Sequence, residues 1–534
     1  ATQKLVTNWD TFNIGSNSTV TFNQPNSASV ALNRVSGGDP SYIFGHLNAN
    51  GQVYLLNPLG VVFGAGSQVN VGGLVASSLN LSDSNFLAGN TRFINEGSTG
   101  TVSNAGTIQT ASGGYVAFMA PRVENTGTIH TPQGTTLLGA ADQVSLNFSG
   151  DKLINYTIDK GAFNAQVTNR GVIQADDGVV VLTAQAADAL TRSVVNQSGL
   201  IQANSLTSKG GRIVLEGDDI TLSTNSQTNA IGATGGGDVL VGGGWQGSGG
   251  YRQAIHTTLE QGARIDVSAT QSGKGGTAVL WSDTGNADSV TAVHGTIVAR
   301  GGAQGGSGGQ VETSGHGLDI SGAAIDPGAN GNWLIDPVTI SIDAAYSSTI
   351  SSTLSGGSNV TLQTAAGTNG EIQLTATANI QKTGGGDATL KLMADRGIQI
   401  NNGARIISTA GKLNVILNSH AFNDSGAGGV HILGATIKTN GGDLVIGGGA
   451  DPYVTAAQEV SAYSTTDTIA KGLAGVYIVG ATNIATNGGN VYIKGTGATL
   501  NDGTFPIVVL IDSPAIISTG GDTTTGGAGA ISVT

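Results

Sequence analysis

The acidic residues paired closely enough in sequence to work together are Asp176-Asp177 and Asp218-Asp219. A polysaccharide lyase or hydrolase needs carboxylates, or a metal with Arg or Lys, gathered on one face. Each pair here lies beside Gly at a turn, which reads as solvated turn carboxylates before a calcium or catalytic site. Neither an Asp-x-Asp-x-Asp-Gly loop nor a Gly-Gly-x-Gly-x-Asp repeat occurs. The seven histidines, His46, His130, His256, His294, His316, His420 and His431, include no close pair of zinc-ligand type. The glycine runs Gly235–Gly237 and Gly301-Gly302 to Gly308-Gly309 are not followed by Gly-Lys-Ser/Thr or by a helix, so they read as corners rather than phosphate loops. No catalytic, metal or cofactor residue is assigned, and the chain is expected not to be an enzyme.

One patch has binding chemistry. In Gly242-Gly-Gly-Trp245-Gln-Gly-Ser-Gly-Gly-Tyr251-Arg252, two aromatics and a guanidinium share a Gly-rich loop. Trp245, Tyr251 and Arg252 are therefore the candidate ligand-binding residues, suited to stacking on a sugar or a protein. The competing expectation is that the aromatics fold back onto their own scaffold.

Such residues need elements to hold them, and composition narrows what those are. Gly supplies 86 of 534 residues, charged residues 11% and aromatics 5%, yet hydrophobics reach 39% with only 10 Pro. That excludes a disordered chain, which would be apolar-poor, and collagen, which needs strict Gly periodicity and abundant Pro. A net charge of −13 with no basic run argues against a nucleic-acid partner. No apolar stretch is long enough to span a membrane, and no signal-peptide pattern opens the chain. Cysteine is absent, which suits a chain that must cross the periplasm unfolded.

Repeats give the architecture. Asn104-Ala-Gly-Thr-Ile108, Asn125-Thr-Gly-Thr-Ile129, Asn169-Arg-Gly-Val-Ile173 and Asn196-Gln-Ser-Gly-Leu-Ile201 share one pattern, at spacings of 21, 44 and 27 residues. These are near one or two multiples of a solenoid coil of about 20–25 residues. A second unit is Gly-Gly before an alternating strand, at Gly113-Gly114, Gly210-Gly211, Gly275-Gly276, Gly441-Gly442 and Gly488-Gly489. Gly serves the corner and β-branched residues fill the strand. The four Trp residues lack the regular spacing of a propeller. The fold class is all-β, a right-handed parallel β-helix of roughly 20–25 coils on the order of 100 Å long, with a capped N-terminal end. Leu182–Thr191 is at most a short helical excursion. Ile531–Thr534 still reads as a strand, so the rod is expected to continue past the last residue.

The first 90 residues are richer in Asn and large apolars. Trp9 and Phe12 are placed to close the top of the solenoid. Asn50-Gly51 reads as a hairpin turn and Asn57-Pro58 as a turn initiator. Leu32-Asn33-Arg34-Val35, Ile43-Phe-Gly45-His-Leu47 and Asn50-Gly-Gln-Val53 followed by Asn57-Pro58-Leu59-Gly60-Val61 occur in this order. The segment resembles, over at least residues 8–90, the secretion domain of two-partner secretion exoproteins of the filamentous haemagglutinin type. The family turn is Asn-Pro-Asn-Gly; Leu59 stands where the second Asn would be, which implies a turn lacking one side-chain hydrogen bond. Gly331-Asn-Trp333-Leu-Ile-Asp336-Pro337 is similar to a recurring segment of large adhesins in that family.

The resemblance implies a secretion domain within 1–230, a β-helical adhesin rod over 231–534, and secretion-motif residues Asn33, Arg34, Asn57, Pro58 and Gly60. His46 is expected on the surface of that domain. The implied partner is an outer-membrane transporter barrel that threads the chain outward, the β-helix forming coil by coil outside. The implied product is a secreted, cell-surface adhesin, monomeric over this stretch, with a host-cell, bacterial or polysaccharide receptor. The alternatives are a haem-acquisition exoprotein of the same class, which predicts loops protruding along one face, and a polysaccharide-degrading β-helix enzyme.

Overall fold

A computed structural model describes residues 2–149, 152–188, 190–422, 428–458, 474–497, 509–512, 514–520 and 529–534. It divides into two units, residues 1–283 with 301–306, and residues 284–300 with 307–534.

Unit 1 is a parallel β-helix, as expected, with three parallel sheets as its walls. The first sheet begins with Lys4–Trp9 against Val30–Val35 and passes through Tyr115–Ala120, Thr135–Ala140, Val179–Ala184 and Arg212–Glu216 to Thr277–Trp281. The second includes Gly60–Phe63, Thr101–Asn104, Arg122–Asn125 and Gln166–Asn169. The third includes Thr19–Phe22, His46–Ala49, Gln68–Val71 and Thr107–Thr110. Inward positions are small and apolar: Val102, Val123, Val167 and Val195 stack in one column, all buried.

The coil repeat differs from its sequence period in one place. Asn125 pairs in register with Asn169 on the next rung, so the spacing of 44 is one coil and not two. The surplus leaves the solenoid as the antiparallel strands Gln143–Ser149 and Lys152–Lys160, joined by Arg92–Ile94. The repeated Asn is an inward ladder rather than a turn former alone. Asn104 Nδ2 donates to Asn125 Oδ1 (2.8 Å), Asn125 Nδ2 to Asn169 Oδ1 (2.8 Å), and Asn169 Nδ2 to Gln197 Oε1 (2.7 Å). Buried amides must be paired, and stacking like on like pairs each one. The Gly of the motif has an equally local reason: a Cβ on Gly171 would collide with the carbonyl of Gly127 one coil away.

Other expectations change. Asn50-Gly51 is not a hairpin, because His46–Ala49 and Gln52–Leu56 lie in different sheets. It is a solenoid corner, and the Asn50 amide clips it to the backbone of Gln24 at 2.7 and 2.8 Å. Corners and hairpins ask for the same residues, so the signal is shared. Leu182–Thr191 begins inside the strand Val179–Ala184, where Leu182 is buried in register with Leu138 and Leu215, so packing overrides its Ala-rich helix propensity. At the N-terminal end Trp9 and Phe12 do meet edge to face, centroids 5.4 Å apart, with Phe12 buried and Trp9 partly exposed.

The outer side of the first sheet is covered. A short helix, α1 (Asp83–Ala88), is capped by Ser82 and closed by Gly89. With the antiparallel strands it packs Phe86, Phe93, Val144, Leu146 and Leu153 over Tyr54, Tyr115, Met119, Leu137, Val181 and Val214. Tyr115–Ala120 is consequently buried at all six positions.

Unit 2 has the same three-walled coil. Its first sheet runs from Gln310–Gly315 and Asn332–Pro337 through Ala388–Met393 and Leu413–Ser419 to Ile531–Val533. Every strand after a Gly-Gly pair falls in the first sheet of its unit: Tyr115, Arg212 and Thr277 open three in unit 1, Leu444 and Val491 two in unit 2. Trp333 points inward, fully buried, its Nε1 donating to Thr313 Oγ1 (3.0 Å).

A second helix, α2 (Ala344–Ser355), occupies a rung of the third wall, between Ala324–Asp326 and Asn379–Lys382. Ser347, Ser351 and Ser355 accept from the backbone N–H groups of Asn379, Gln381 and Thr383 (2.9, 2.8 and 2.9 Å). On the other side Thr349 and Thr353 donate to the carbonyls of Ile320 and Ile325 (3.3 and 2.8 Å). Four helical residues rise about 6 Å, nearly the ~6.6 Å spanned by two residues of a strand. A hydroxyl every fourth residue can therefore satisfy every second group of a strand edge. No helix among the described residues is long and apolar enough to cross a membrane.

Candidate secretion motif and the Trp245 loop

The secretion-motif residues converge on the first coils, mostly as internal supports. Asn33 is buried; its Oδ1 accepts from Trp9 Nε1 (3.1 Å) and its Nδ2 donates to the carbonyls of Ala31 and Tyr54 (3.2 and 3.3 Å). Arg34 reaches Asn80 (3.2 Å), the Leu81 carbonyl (2.6 Å) and Asp83 (2.7 Å), tying its strand to the entry of α1. Asn57 is buried and donates to the Asp39 carbonyl (3.0 Å) and Ser41 Oγ (3.1 Å). Its Oδ1 accepts from Leu59 N (2.9 Å) and its carbonyl from Gly60 N (2.8 Å), so this turn closes without a second Asn. Gly60 has φ +111°, where L-residues are strained, and a Cβ there would press on Thr101. Pro58 and Leu59 are the outward part of the motif. The Pro58 carbonyl accepts from Gly100 N (3.2 Å) and thereby holds the next coil. His46 sits half-buried at an outward position between Thr19 and Gln68.

The patch at 242–252 is a packed loop. Trp245–Gly247 forms one 3-10 turn, and Trp245 and Tyr251 pack on Leu240, Val279 and Trp281. Arg252 is ion-paired with Asp218. The loop aromatics and Arg252 are thus brought together, but folded onto their own coil rather than held out. Asp218 is not the solvated turn carboxylate expected: it is buried and also accepts from Ser193 N (2.8 Å) and Oγ (2.9 Å). Asp219 lies 2.6 Å from His256 Nδ1 and 3.2 Å from Arg192. The Asp176-Asp177 pair behaves as expected of a turn, accepting from Gln174 Nε2 (2.7 Å) and Ser208 Oγ (2.9 Å) respectively.

Two groups that drew no attention in sequence are perturbed. Tyr156 donates to Glu216, and burial followed by that carboxylate pushes its hydroxyl far above the usual range. Asp336 is pushed up to about 6 by burial, against the lowering effect of Gln363 Nε2 at 2.7 Å; its other oxygen has no partner among the described residues. No cluster of three or more His, Asp or Glu able to hold a metal occurs among the described residues.

Comparison with known proteins agrees with this architecture. Residues 1–231 match the TPS secretion domain. The crystal structure of the HMW1 secretion domain from Haemophilus influenzae is 30% identical, with a TM-score of 0.50, and the similarity covers 62% of this chain and 93% of that one. The chain therefore belongs to the two-partner secretion exoproteins.

Two curated relatives, both heme/hemopexin-binding proteins of Haemophilus influenzae, are 36% identical over 227 residues and 28% over 260. These spans are 41% and 44% of this chain but only 24% and 27% of the relatives, so the chain matches about a quarter of their length.

Proposed function

We propose that a partner outer-membrane transporter barrel engages the N-terminal secretion domain and threads this chain outward, and that the coils displayed outside act as a cell-surface adhesin. The match of residues 1–231 to the secretion domain carries the export part. Stacked coils favour it, because each rung templates the next. The motif residues support the first coils from within, leaving Pro58 and Leu59 as its exposed part.

A binding role is preferred over catalysis on side-chain grounds. Asp218 is already neutralised by Arg252, and Asp219 is held by Arg192 and His256. The second reading, capture of a haem-loaded carrier protein, is favoured by the two heme/hemopexin-binding relatives.

The export reading is tested by producing the chain behind an export leader in cells with and without a two-partner transporter. Intact chain in the medium only when the barrel is present is expected; equal release without it refutes export by this route. For the ligand, the purified chain is applied to a glycan array and to immobilised haem-loaded hemopexin. Glycan binding supports adhesion, and retention on hemopexin alone transfers the proposal to haem acquisition.

A further inference from the structure

The cover over the first sheet of unit 1 is made by α1 and the antiparallel strands, but these do not finish it. The outward column Leu137, Val181, Val214, Leu240 and Val279 runs on along the sheet, and each member is at least nine-tenths buried. Tyr251 belongs to both patches that cover this column. It packs with Tyr156 and Ile158 against the cluster containing Val181 and Val214, and with Trp245 against Leu240, Val279 and Trp281. Polar contacts fasten the same loop on both flanks. Arg252 pairs with buried Asp218 and its backbone N–H reaches Glu216, the carboxylate that Tyr156 also engages. Trp281 Nε1 donates to Gln253 (3.2 Å). The loop's glycines are fitted to these rings: a Cβ on Gly243 would strike Trp281, and one on Gly244 would strike Tyr251. All of these contacts lie past residue 231, where the family match ends.

We propose that Gly242–Gln253 is a strap that closes the outer seam of the secretion domain, so that the working module extends to Trp281. Val181, Val214, Glu216 and Asp218 stay open on their outer side until the strap is laid across them. The module is therefore completed by a segment that follows it in the chain.

The absence of cysteine makes the test direct. In the full chain, Val214→Cys is introduced beneath the strap, and Val180→Cys, an inward position on the neighbouring rung, serves as control. Thiol labelling is compared between the otherwise native chain and the variant Trp245→Ala with Tyr251→Ala. Labelling at position 214 is expected to rise about tenfold or more through local opening, with position 180 still protected. An unchanged rate at 214 overturns the proposal. If the double variant also exposes position 180, Tyr251→Phe and Tyr251→Ser decide: the strap requires slow labelling with Phe and fast labelling with Ser, and equal rates overturn it.

Discussion

Tyr115–Ala120 in unit 1 and Ala388–Met393 in unit 2 occupy the same kind of wall, yet they bury themselves differently. The first is buried at every position, while the second alternates buried and half-buried along its length. The inward residues are alike, Val116 and Phe118 against Leu390 and Leu392. What differs is the outward side. In unit 1 it meets α1, the antiparallel strands and the Trp245 loop; in unit 2 it presents Thr389, Lys391 and Met393. A coil needs only its inner column to stack, and its outer surface is free to take on another task. The secretion domain uses that freedom to build a second apolar layer, and so becomes the more constrained part of the chain.

The sharpest way to break this comparison is to place a charge on each outer wall. Leu137→Lys in unit 1 is expected to destabilise by about 4 kcal/mol, since the ammonium would be buried unpaired. Thr389→Lys in unit 2 should stay within about 0.5 kcal/mol. Urea unfolding of each variant checks both, and equal costs would refute the distinction.

Unit 2 carries its own tension at Asp336, whose folded pKa of about 6 lies above the ordinary 3.8. A raised carboxyl pKa means the folded state holds the proton more tightly than the unfolded one. Its stabilising share is full below about pH 3.8 and is lost as pH rises through about 6. Asp336→Asn is therefore expected to stabilise unit 2 by about 3 kcal/mol at pH 8 and to do nothing near pH 3.5. Denaturation followed by the fluorescence of Trp333, the sole Trp of unit 2, measures this difference.

Two smaller effects concern how rungs are tied. Asn125→Ala removes the middle of the amide ladder in unit 1 and leaves the Asn104 amide and the Asn169 carbonyl without their partners, at a cost of about 2 kcal/mol by thermal or urea melts. Ser351→Ala in α2 leaves the Gln381 N–H without its acceptor and should cost about 1 kcal/mol. Its selective sign is faster hydrogen exchange at Gln381, with Ile406 on the next strand unchanged.

Much of the coil could be read from residues whose demand is local. The Gly-Gly corners announced the first sheet, and the Asn-Gly motif announced the register of the second. Both follow from what a backbone needs within a few residues. The excursions were hidden because their purpose is non-local. Lys152–Lys160 makes sense only against Val144 and Leu146, and α1 only because Phe86 finds Tyr54. The one available signal was the spacing of 44, too long for a single plain coil. α2 was hidden for another reason: its Ser and Thr residues are ordinary helix formers at best, and their spacing gains meaning only beside a strand edge. The motif residues Asn33 and Asn57 were found through family resemblance, and their burial shows why these positions hold Asn: each amide answers backbone groups that water cannot reach. The Trp245 loop was located correctly as a cluster, but nothing in its sequence showed that Trp281, from the next coil, would lie against it.

The central claim is that the N-terminal coils are the export address of the whole chain. It is tested most directly by quantifying intact chain released into the medium by transporter-bearing cells, with residues 1–90 either native or replaced by an unrelated β-helical segment. The account predicts at least a tenfold loss of release on replacement, with the chain retained inside the cell envelope. Release at the native level after replacement would contradict it.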